Sequence, residues 1–257
     1  MGLNNHKGLN MAEDKKQVSS EQHTLYAQDI LEKKKLIDKD KNLYEITPKH
    51  TVYRIFIGRF FELKKGLHAV FNELKKAKKD DKFEIIINSG GGFVNEGMQF
   101  YNIILEKFPN STTTYLDNRG YSMGALLFSM GSKRVIYPYS DLMYHNYAGG
   151  AFGKGEEIKA QVKHFDKLIQ NFFHEIIVSQ GFLSEDEYRK MIIGKDYWFD
   201  AKELCKRGIA THVIVDGEEI TAKEFLKLLK KRKKAKKQKK KLTKEASSNQ
   251  KSKKNKK

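Results

Sequence analysis

Apolar side chains follow two different periods along the middle of the chain. Short runs rich in Ile, Val, Phe and Thr predict strands, whereas apolar positions spaced by three and four residues predict helices. The predicted strands are 51–57, 83–88, 111–116, 134–137 and 142–144, and the predicted helices are 62–79, 94–107, 123–130 and 155–180. Strands and helices that alternate in this way are typical of an α/β domain.

The two ends of the chain differ from this middle part. Residues 1–46 are polar, and we interpret them as a lead, an axial arm or a removable propeptide. Residues 231–257 contain no aromatic side chain and a single leucine, so they cannot bury a core. The expected organisation is therefore a polar N-terminal lead (1–46), a globular domain (47–221) and a lysine-rich, largely disordered tail (222–257).

The positive charge of the chain is concentrated in this tail. Residues 222–257 hold 18 Lys and Arg against two acidic residues, which gives +16 of the total net charge of +18. Residues 1–221 carry only +2. Two interpretations stay open: a solvated tail that confers solubility, or a segment that docks electrostatically on nucleic acid or an acidic surface.

Composition also narrows the compartment and the chemistry. No apolar run approaches 18 residues and residues 1–7 lack an apolar signal core, so we expect a cytoplasmic protein with no membrane partner. The single cysteine, Cys205, gives no disulfide framework and is interpreted as a packing residue. No histidine pair has HExxH spacing, so we expect neither a metal nor a cofactor.

Ser122 is the strongest candidate for chemistry. It lies in Gly120-x-Ser-x-Gly124, between a predicted strand and an apolar predicted helix, and His145 and Asp196 follow downstream. A serine nucleophile needs a base, a group that orients the base, and N–H donors for the oxyanion. Small residues flank many serines, so the pentapeptide alone also fits an N-cap on a buried helix.

Four further segments decide between these interpretations when they are taken together. They are 83–98 (FEIIINSGGGFVNEGM), 120–125 (GYSMGA), 141–145 (DLMYH) and 195–203 (KDYWFDAKE). In this order and with this spacing, the chain resembles the Clp protease family of serine peptidases over about residues 49–215. The resemblance implies a Clp/crotonase-like α/β fold with repeated β-β-α units and a long helix used for oligomer contacts.

The resemblance also implies roles for individual residues. Ser122 matches the nucleophile, His145 the base and Asp196 the third member of the triad. The N–H groups of Gly92 and Met123 match the oxyanion hole. The implied function is a serine endopeptidase that cleaves protein and peptide substrates through an acyl-enzyme and needs no cofactor.

Several positions around these residues depart from the family pattern. Gly90 stands where the family has proline, and Lys195 where it has arginine. The family's Gln-Ala-Ala before the serine is Arg119-Gly120-Tyr121 here, and its His-Gln-Pro is His145-Asn146-Tyr147. These changes spare the triad and fall in positions that shape the subsites and the assembly.

Assembly is expected both from the residues and from the resemblance. The apolar side chains of the long helix spread around its end at Phe172, Phe173, Ile176 and Ile177, and we expect a neighbouring subunit to bury them. The family resemblance implies a heptamer or a double heptamer that encloses the sites in a chamber. Because the chain has no GxxxxGK[ST] phosphate loop, any ATP dependence would belong to a separate unfoldase.

Two other functions stay open at this point. A phage-type head-maturation or scaffold protease on the same fold would fit the altered loops and the tails. An inactive assembly or binding subunit would use the basic tail without the triad. A serine-reactive probe separates the inactive subunit from the proteases, and genomic neighbours separate the two proteases.

Overall fold

The computed structural model of the chain describes residues 31–38, 43–48, 50–58 and 67–254. These residues belong to two compact units, Met1–Thr51 and Val52–Lys257. Residues 1–30 of the predicted lead, and the first residues of the helix predicted at 62–79, lie outside the described residues.

The first unit contains two strands where the sequence predicted only a polar lead. Strand β1 spans Leu31–Asp38 and strand β2 spans Leu43–Pro48, and they pair antiparallel with Leu36 opposite Tyr44. Leucine, tyrosine, isoleucine and threonine in β2 suit a strand. The many lysines of β1 concealed the pattern, because strands pair through their backbones and lysine side chains do not prevent this pairing.

The second unit alternates strands and helices. Its strands are β3 (Val52–Ile57), β4 (Lys82–Ser89), β5 (Thr112–Tyr121), β6 (Lys133–Ile136), β7 (Asp141–Tyr144), β8 (Tyr197–Asp200), β9 (His212–Val215) and β10 (Glu218–Thr221). Its helices are α1 (Leu67–Lys75), α2 (Val94–Lys107), α3 (Met123–Ser129), α4 (Gly155–Ile177), α5 (Glu185–Ile192), α6 (Ala201–Lys206) and α7 (Ala222–Lys254). The bounds agree with the predicted elements within a few residues, except that β5 continues to Tyr121.

The strands of this unit form one sheet in the order β10-β9-β6-β5-β4-β3, and β7 and β8 extend it beside the end of β5. The pairs β3–β4, β4–β5, β5–β6, β5–β7 and β6–β9 are parallel. The pairs β7–β8 and β9–β10 are antiparallel. The predicted α/β class is therefore confirmed.

The core lies between the sheet and the helices α2 and α3. Along β4, Phe83, Ile85 and Ile87 are buried in alternation with more exposed residues, as expected for a strand with one face on the core. Helix α3 is buried at all seven of its positions. A seven-residue helix is too short to be stable alone, so this tertiary packing holds it in place.

The end of α4 corrects one prediction about assembly. Phe172, Phe173, Ile176 and Ile177 are buried within the single chain, with exposed fractions of 7%, 4%, 3% and 1%. The expectation that a neighbouring subunit must bury them was wrong, because the chain itself buries these four side chains. The apolar side chains that stay exposed on α4 are Val162, Phe165 and Leu168, at 47%, 43% and 43%.

The C-terminal segment also differs from its prediction. Residues 222–254, expected to be largely disordered, form the helix α7. Its first two turns are anchored by Phe225, which is buried, and by the half-buried Leu229. Lysine, leucine and alanine are good helix formers, so a helix that starts on the body can continue through the basic sequence.

Two smaller predictions concern composition. Cys205 is buried on α6, as expected for a packing residue, and burial raises the pKa of its thiol to about 12. In the part of the chain that is described, none of the helices combines the length and apolar character that a membrane crossing requires.

Candidate active site

The candidate site lies at the carboxyl ends of three neighbouring strands. Strand β5 pairs with β6 along its first half and with β7 along its last three residues, where Tyr121 lies opposite Met143. On the other side of β5, Gly120 lies opposite Ser89 of β4. Because these strands are parallel, the residues that follow them meet at one edge of the sheet.

Ser122 occupies a sharp turn between β5 and α3. Its backbone has φ 55° and ψ −124°, a conformation that a residue with a side chain rarely adopts. Its N–H donates to the carbonyl of Met143 at 3.0 Å, and its carbonyl accepts from the N–H of Ala125 at 3.0 Å. The surrounding strand and helix therefore hold the strained residue in place.

The N-cap interpretation of Ser122 can now be examined directly. Ser122 does stand at the N-cap position of α3, but its hydroxyl makes no capping hydrogen bond to the helix. In contrast, the hydroxyl of Ser184 accepts a hydrogen bond from the N–H of Glu187 at 3.2 Å at the start of α5. A capping role therefore does not account for the Ser122 side chain.

The glycine loop after β4 packs directly against Ser122. Gly91 has φ 111°, and a Cβ added there would lie 2.7 Å from the Cβ of Ser122. The N–H of Gly91 donates to the hydroxyl of Ser89 at 3.1 Å, which fixes the turn. Only glycine combines this backbone conformation with so close an approach, and the backbone of the loop therefore lies against the turn that carries Ser122.

The loop, the turn and the segment after β7 enclose one cavity of about 620 Å³. The residues that line it are Gly90, Gly91, Gly92, Val94, Arg119, Ser122, Met123, His145, Tyr147, Ala148 and Phe173. The structure thus brings together four of the five predicted site residues: Ser122, His145, Gly92 and Met123. Asp196 does not line the cavity.

Strand pairing accounts for the position of Asp196. Strands β7 and β8 are antiparallel, with Tyr144 opposite Tyr197. His145 follows Tyr144 on β7, and Asp196 precedes Tyr197 on β8. Extended by one residue beyond this pair, the register places His145 opposite Asp196. Asp196 is exposed and His145 is half-buried, and in the described structure no side-chain hydrogen bond joins Ser122, His145 and Asp196 to one another.

Tyrosines fix the strands behind the site. The hydroxyl of Tyr121 donates to Asp141 at 2.7 Å, a contact that raises the pKa of this tyrosine. The Tyr121 ring contacts the Trp198 ring edge to face, with ring centroids 5.2 Å apart.

Tyr144 is fully buried next to His145, and its hydroxyl forms a hydrogen bond of 2.5 Å with the hydroxyl of Ser129. Burial raises the pKa of Tyr144. The residues flanking Ser122 and His145 are therefore tied to β7, β8 and α3.

Two acidic side chains near the site are engaged in hydrogen bonds. Asp141 accepts from Tyr121, and Asp166 accepts from Tyr147 at 3.3 Å and from Gln170 at 2.8 Å. None of the residues that line the cavity is Asp or Glu. Over the described ranges, no group of three or more His, Cys, Asp or Glu side chains could hold a metal ion.

Sequence reasoning assigned no site role to several of the cavity residues, Tyr147 and Phe173 among them. Phe173 lies 51 positions after Ser122, on a helix whose apolar stripe gives no sign of which partner it meets. Tyr147 was recognised only as a departure from the family pattern. Neither position has a local signal in the sequence, since each reaches the cavity through the way that the second unit is folded.

Comparison with known proteins agrees with this arrangement. A family model described as Clp protease matches residues 54–217. The ATP-dependent Clp protease proteolytic subunit 2 of Chlamydia trachomatis serovar D is 31% identical over 147 residues, which cover 54% of this chain and 68% of the relative. The subunit of the same name from Mycolicibacterium paratuberculosis is 28% identical over 143 residues, 54% of this chain and 70% of the relative. The subunit of this name from Thermobifida fusca is 26% identical over 150 residues, which cover 58% of this chain and 72% of the relative.

The fold and the comparisons together define a serine-type peptidase. The family model covers more than half of the chain, and the chain belongs to the Clp protease family.

Proposed function

We propose that the chain cleaves peptide bonds through a triad of Ser122, His145 and Asp196. The observation that carries this proposal is the shared cavity: Ser122, in a strained turn with no capping bond, and His145 both line it. A free serine hydroxyl beside an imidazole is the arrangement that nucleophilic catalysis requires.

In the first half of the reaction, the Ser122 hydroxyl attacks the carbonyl carbon of the peptide while His145 accepts its proton. The carbonyl oxygen becomes an oxyanion, and the N–H groups of Gly92 and Met123 donate to it. Met123 is the first residue of α3, so its N–H has no acceptor within the helix. His145 then gives the proton to the leaving amine, and the acyl-enzyme is formed.

In the second half, water attacks the acyl-enzyme. His145 accepts a proton from the water and returns it to Ser122, which leaves as the hydroxyl and releases the acid product. Asp196 orients the imidazole and stabilises its protonated form. The β7–β8 register supports this role, and the absence of a bond between Asp196 and His145 in the described structure is common for catalytic groups without substrate.

The test is labelling with a fluorophosphonate, followed by assay on a fluorogenic peptide. Ser122→Ala should lose both the label and hydrolysis, and His145→Ala should lose about as much activity, because members of a triad act as a unit. Ser179→Ala, which removes an exposed serine outside the cavity, is the matched control. Full cleavage by Ser122→Ala would refute the assignment, and a wild type that neither labels nor cleaves would favour an inactive assembly subunit.

The proposal extends to an oligomeric chamber in the cytoplasm. Val162, Phe165 and Leu168 form an exposed apolar patch on α4, and Phe152 in the segment before that helix is 98% exposed. Apolar side chains grouped in this way support burial against a second copy of the chain. The relatives are named as proteolytic subunits of an ATP-dependent protease, which supports a separate partner that uses ATP. The ring of seven, or two such rings, is proposed from the family resemblance.

A phage-type head-maturation or scaffold protease is the alternative on the same fold. It would use the same triad without an unfoldase. Copurification with an ATPase from the native source would favour the first function, and cleavage of a capsid scaffold would favour the second.

Helix α7 supports a polyanionic partner, and we favour nucleic acid over an acidic protein. Every residue from 230 to 240 is exposed, and nine of these eleven are Lys or Arg. The charge therefore surrounds the helix instead of forming one basic face. A flat acidic protein surface would contact one face only, whereas a nucleic-acid groove can contact several.

A further inference from the structure

The charge of the catalytic cavity is unbalanced. Among the described residues that line it, Arg119 carries the only side chain with a permanent charge. Val94, Met123, Tyr147 and Phe173 make much of the remaining wall apolar or aromatic. The cavity therefore offers one fixed positive charge in an otherwise weakly polar surface, beside the serine.

Arg119 also differs from Arg207 and Arg134 of the second unit, because its side chain has no partner in the described structure. Arg207 forms two hydrogen bonds with the Glu187 carboxylate, at 2.7 Å and 3.0 Å. The guanidinium of Arg134 donates to the carbonyls of Ile209, Gly131 and Gly208. No hydrogen bond or ion pair within the described residues uses the side chain of Arg119, which is exposed.

The acid opposite Arg119 on β7 forms no ion pair with this arginine in the described structure. Arg119 lies opposite Asp141 in the β5–β7 register, but the Asp141 carboxylate accepts from the hydroxyl of Tyr121. Arg119 and Tyr121 are two residues apart on the same strand, so their side chains lie on the same face. The hydroxyl of Tyr121 therefore occupies one oxygen of the Asp141 carboxylate, and the Arg119 guanidinium has no protein partner in the described structure.

A guanidinium stays charged at all physiological pH values and presents a planar fork of N–H donors that matches a carboxylate. We propose that Arg119 binds a carboxylate of the peptide substrate close to the scissile bond, and that it makes this peptidase selective for acidic substrates. The inference rests on the proposed function, because it names the substrate class of the same cavity. Glutamine, the family residue at this position in the resemblance, could not supply the charge.

Geometry limits where on the substrate this carboxylate lies. Arg119 precedes Ser122 by three residues on a strand, a separation of about 10 Å along the backbone. An extended peptide advances about 3.3 Å per residue, so the carboxylate falls within about three residues of the bond that is cut. Two sources fit this distance: an Asp or Glu side chain, or the carboxyl terminus of a short peptide.

The experiment compares fluorogenic peptides that differ only in charge. One series places Glu or Gln at each of the three positions on either side of the cleaved bond, and each peptide is made with a free and an amidated C-terminus. For the wild type, we expect kcat/KM about tenfold higher for Glu than for Gln at one position, mainly through KM. Arg119→Gln should bring this ratio close to one, and Arg119→Lys should keep part of it.

Arg189→Gln is the matched control, because Arg189 is an exposed arginine that does not line the cavity. It should keep the wild-type ratio, and the preference of the wild type should weaken as salt is raised. If the preference follows the free C-terminus and not the Glu position, the bound carboxylate is that of the peptide end. An equal rate for Glu and Gln peptides, free and amidated, in the wild type would overturn the proposal.

A binding measurement separates this inference from the proposed function. The dissociation constants of the same peptides are measured on Ser122→Ala by fluorescence anisotropy, with and without Arg119→Gln. Selectivity for the acidic peptides that disappears with Arg119 supports the inference even if Ser122 proves not to be the nucleophile. Serine-dependent cleavage of neutral peptides, without any carboxylate preference, would refute the inference and leave the proposed function intact.

Discussion

Helices α3 and α7 lie at opposite extremes of burial and composition. Helix α3 has seven residues, all buried, and none is charged. Helix α7 has 33 residues, and each one from 230 to 240 is exposed. The first follows the candidate nucleophile directly, whereas the second begins after the last strand of the sheet.

The two helices depend on different physical effects. The sequence Met-Gly-Ala-Leu-Leu-Phe-Ser in α3 includes a glycine and is too short to form a helix alone, so its contacts with the sheet and α2 determine its position. Beyond Leu229, α7 has few apolar side chains and relies on local helix propensity. Close packing can hold a reactive group within a narrow range of positions, while an exposed basic helix offers charge over a long reach.

The largest expected effect comes from disturbing the packed region. Gly91→Ala would place a methyl group 2.7 Å from the Ser122 Cβ at a residue with φ 111°. Both the contact and the backbone conformation are unfavourable, so we expect the glycine loop to move away from the turn. Peptide hydrolysis should fall by about 100- to 1,000-fold, the usual cost of losing one oxyanion donor. Steady-state kinetics on a fluorogenic peptide measures it.

Gly155→Ala is the matched control for this variant. A Cβ at Gly155 would meet no atom within 4 Å, and the residue starts α4 outside the cavity. Its activity should equal that of the wild type. If Gly91→Ala kept full activity with an unchanged melting temperature, the close approach of the loop to Ser122 would have no catalytic importance.

The second prediction concerns the exposed basic helix α7. Replacing Lys236, Lys237, Lys239 and Lys240 by Gln removes four charges and keeps good helix formers. Binding of the wild type to a short DNA duplex should weaken at least about 100-fold between 50 and 200 mM salt, and the fourfold variant should show a markedly smaller salt slope. Fluorescence anisotropy of a labelled duplex measures both.

Removal of residues 231–257 extends this test. The deletion should abolish duplex binding and leave hydrolysis of small peptides nearly unchanged, because no described residue of this segment lines the candidate active-site cavity. Duplex binding by the truncated chain that does not depend on salt would show that α7 is not the nucleic-acid surface. Binding of an acidic protein, but not of DNA, would select the other partner class.

Helix α4 has a buried end, as α3 does, and an exposed side, as α7 does. It therefore shows where sequence reasoning succeeded and where it failed. Its apolar positions repeat at helical spacing, so the existence and length of the helix were predicted within three residues at either end. The same pattern could not tell that the chain covers Phe173 and leaves Phe165 exposed. Which face is covered depends on elements that are distant in sequence, and periodicity carries no information about them.

The candidate catalytic motif was more predictable than the rest of the cavity for a related reason. Ser122, His145 and the glycine loop lie in short segments with a recognisable pattern, and each follows a strand of the same parallel group. Residues 222–254 form a helix where disorder was expected, because composition describes solubility better than it describes helix propensity. The hairpin of β1 and β2 was missed because the lysines of β1 concealed the strand pattern.

The third prediction uses the exposed patch of α4. Phe165→Glu introduces a charge among apolar side chains, so the concentration at which the chain assembles should rise by about ten- to thirtyfold. Native mass spectrometry of the wild type should give a multiple of 29.8 kDa. Lys163→Glu is the control, since it changes the charge of the same helix away from the apolar stripe, and its assembly should stay close to wild type. A wild type that is monomeric and fully active at micromolar concentration would contradict the chamber.

The smallest expected effect tests how charges act inside the packed body, in contrast to those of α7. The Arg207 guanidinium lowers the pKa of Glu187 to about 2, with help from the N–H of Ser184, and both partners are partly buried. A carboxyl group with a lowered pKa stabilises the fold above its unfolded-state pKa of about 4.3, and this stability is lost as the pH falls towards 2. Glu187→Gln should therefore cost about 1–2 kcal/mol of unfolding free energy at pH 7, and the difference from wild type should shrink steadily between pH 5 and pH 2.

Glu73→Gln is the control, because it removes a solvent-exposed ion pair with Lys76. It should change the unfolding free energy by less than about 0.5 kcal/mol at every pH. Urea unfolding at several pH values measures both. Equal losses for the two variants would mean that the Glu187 carboxylate, despite its partial burial, contributes no more than a surface charge.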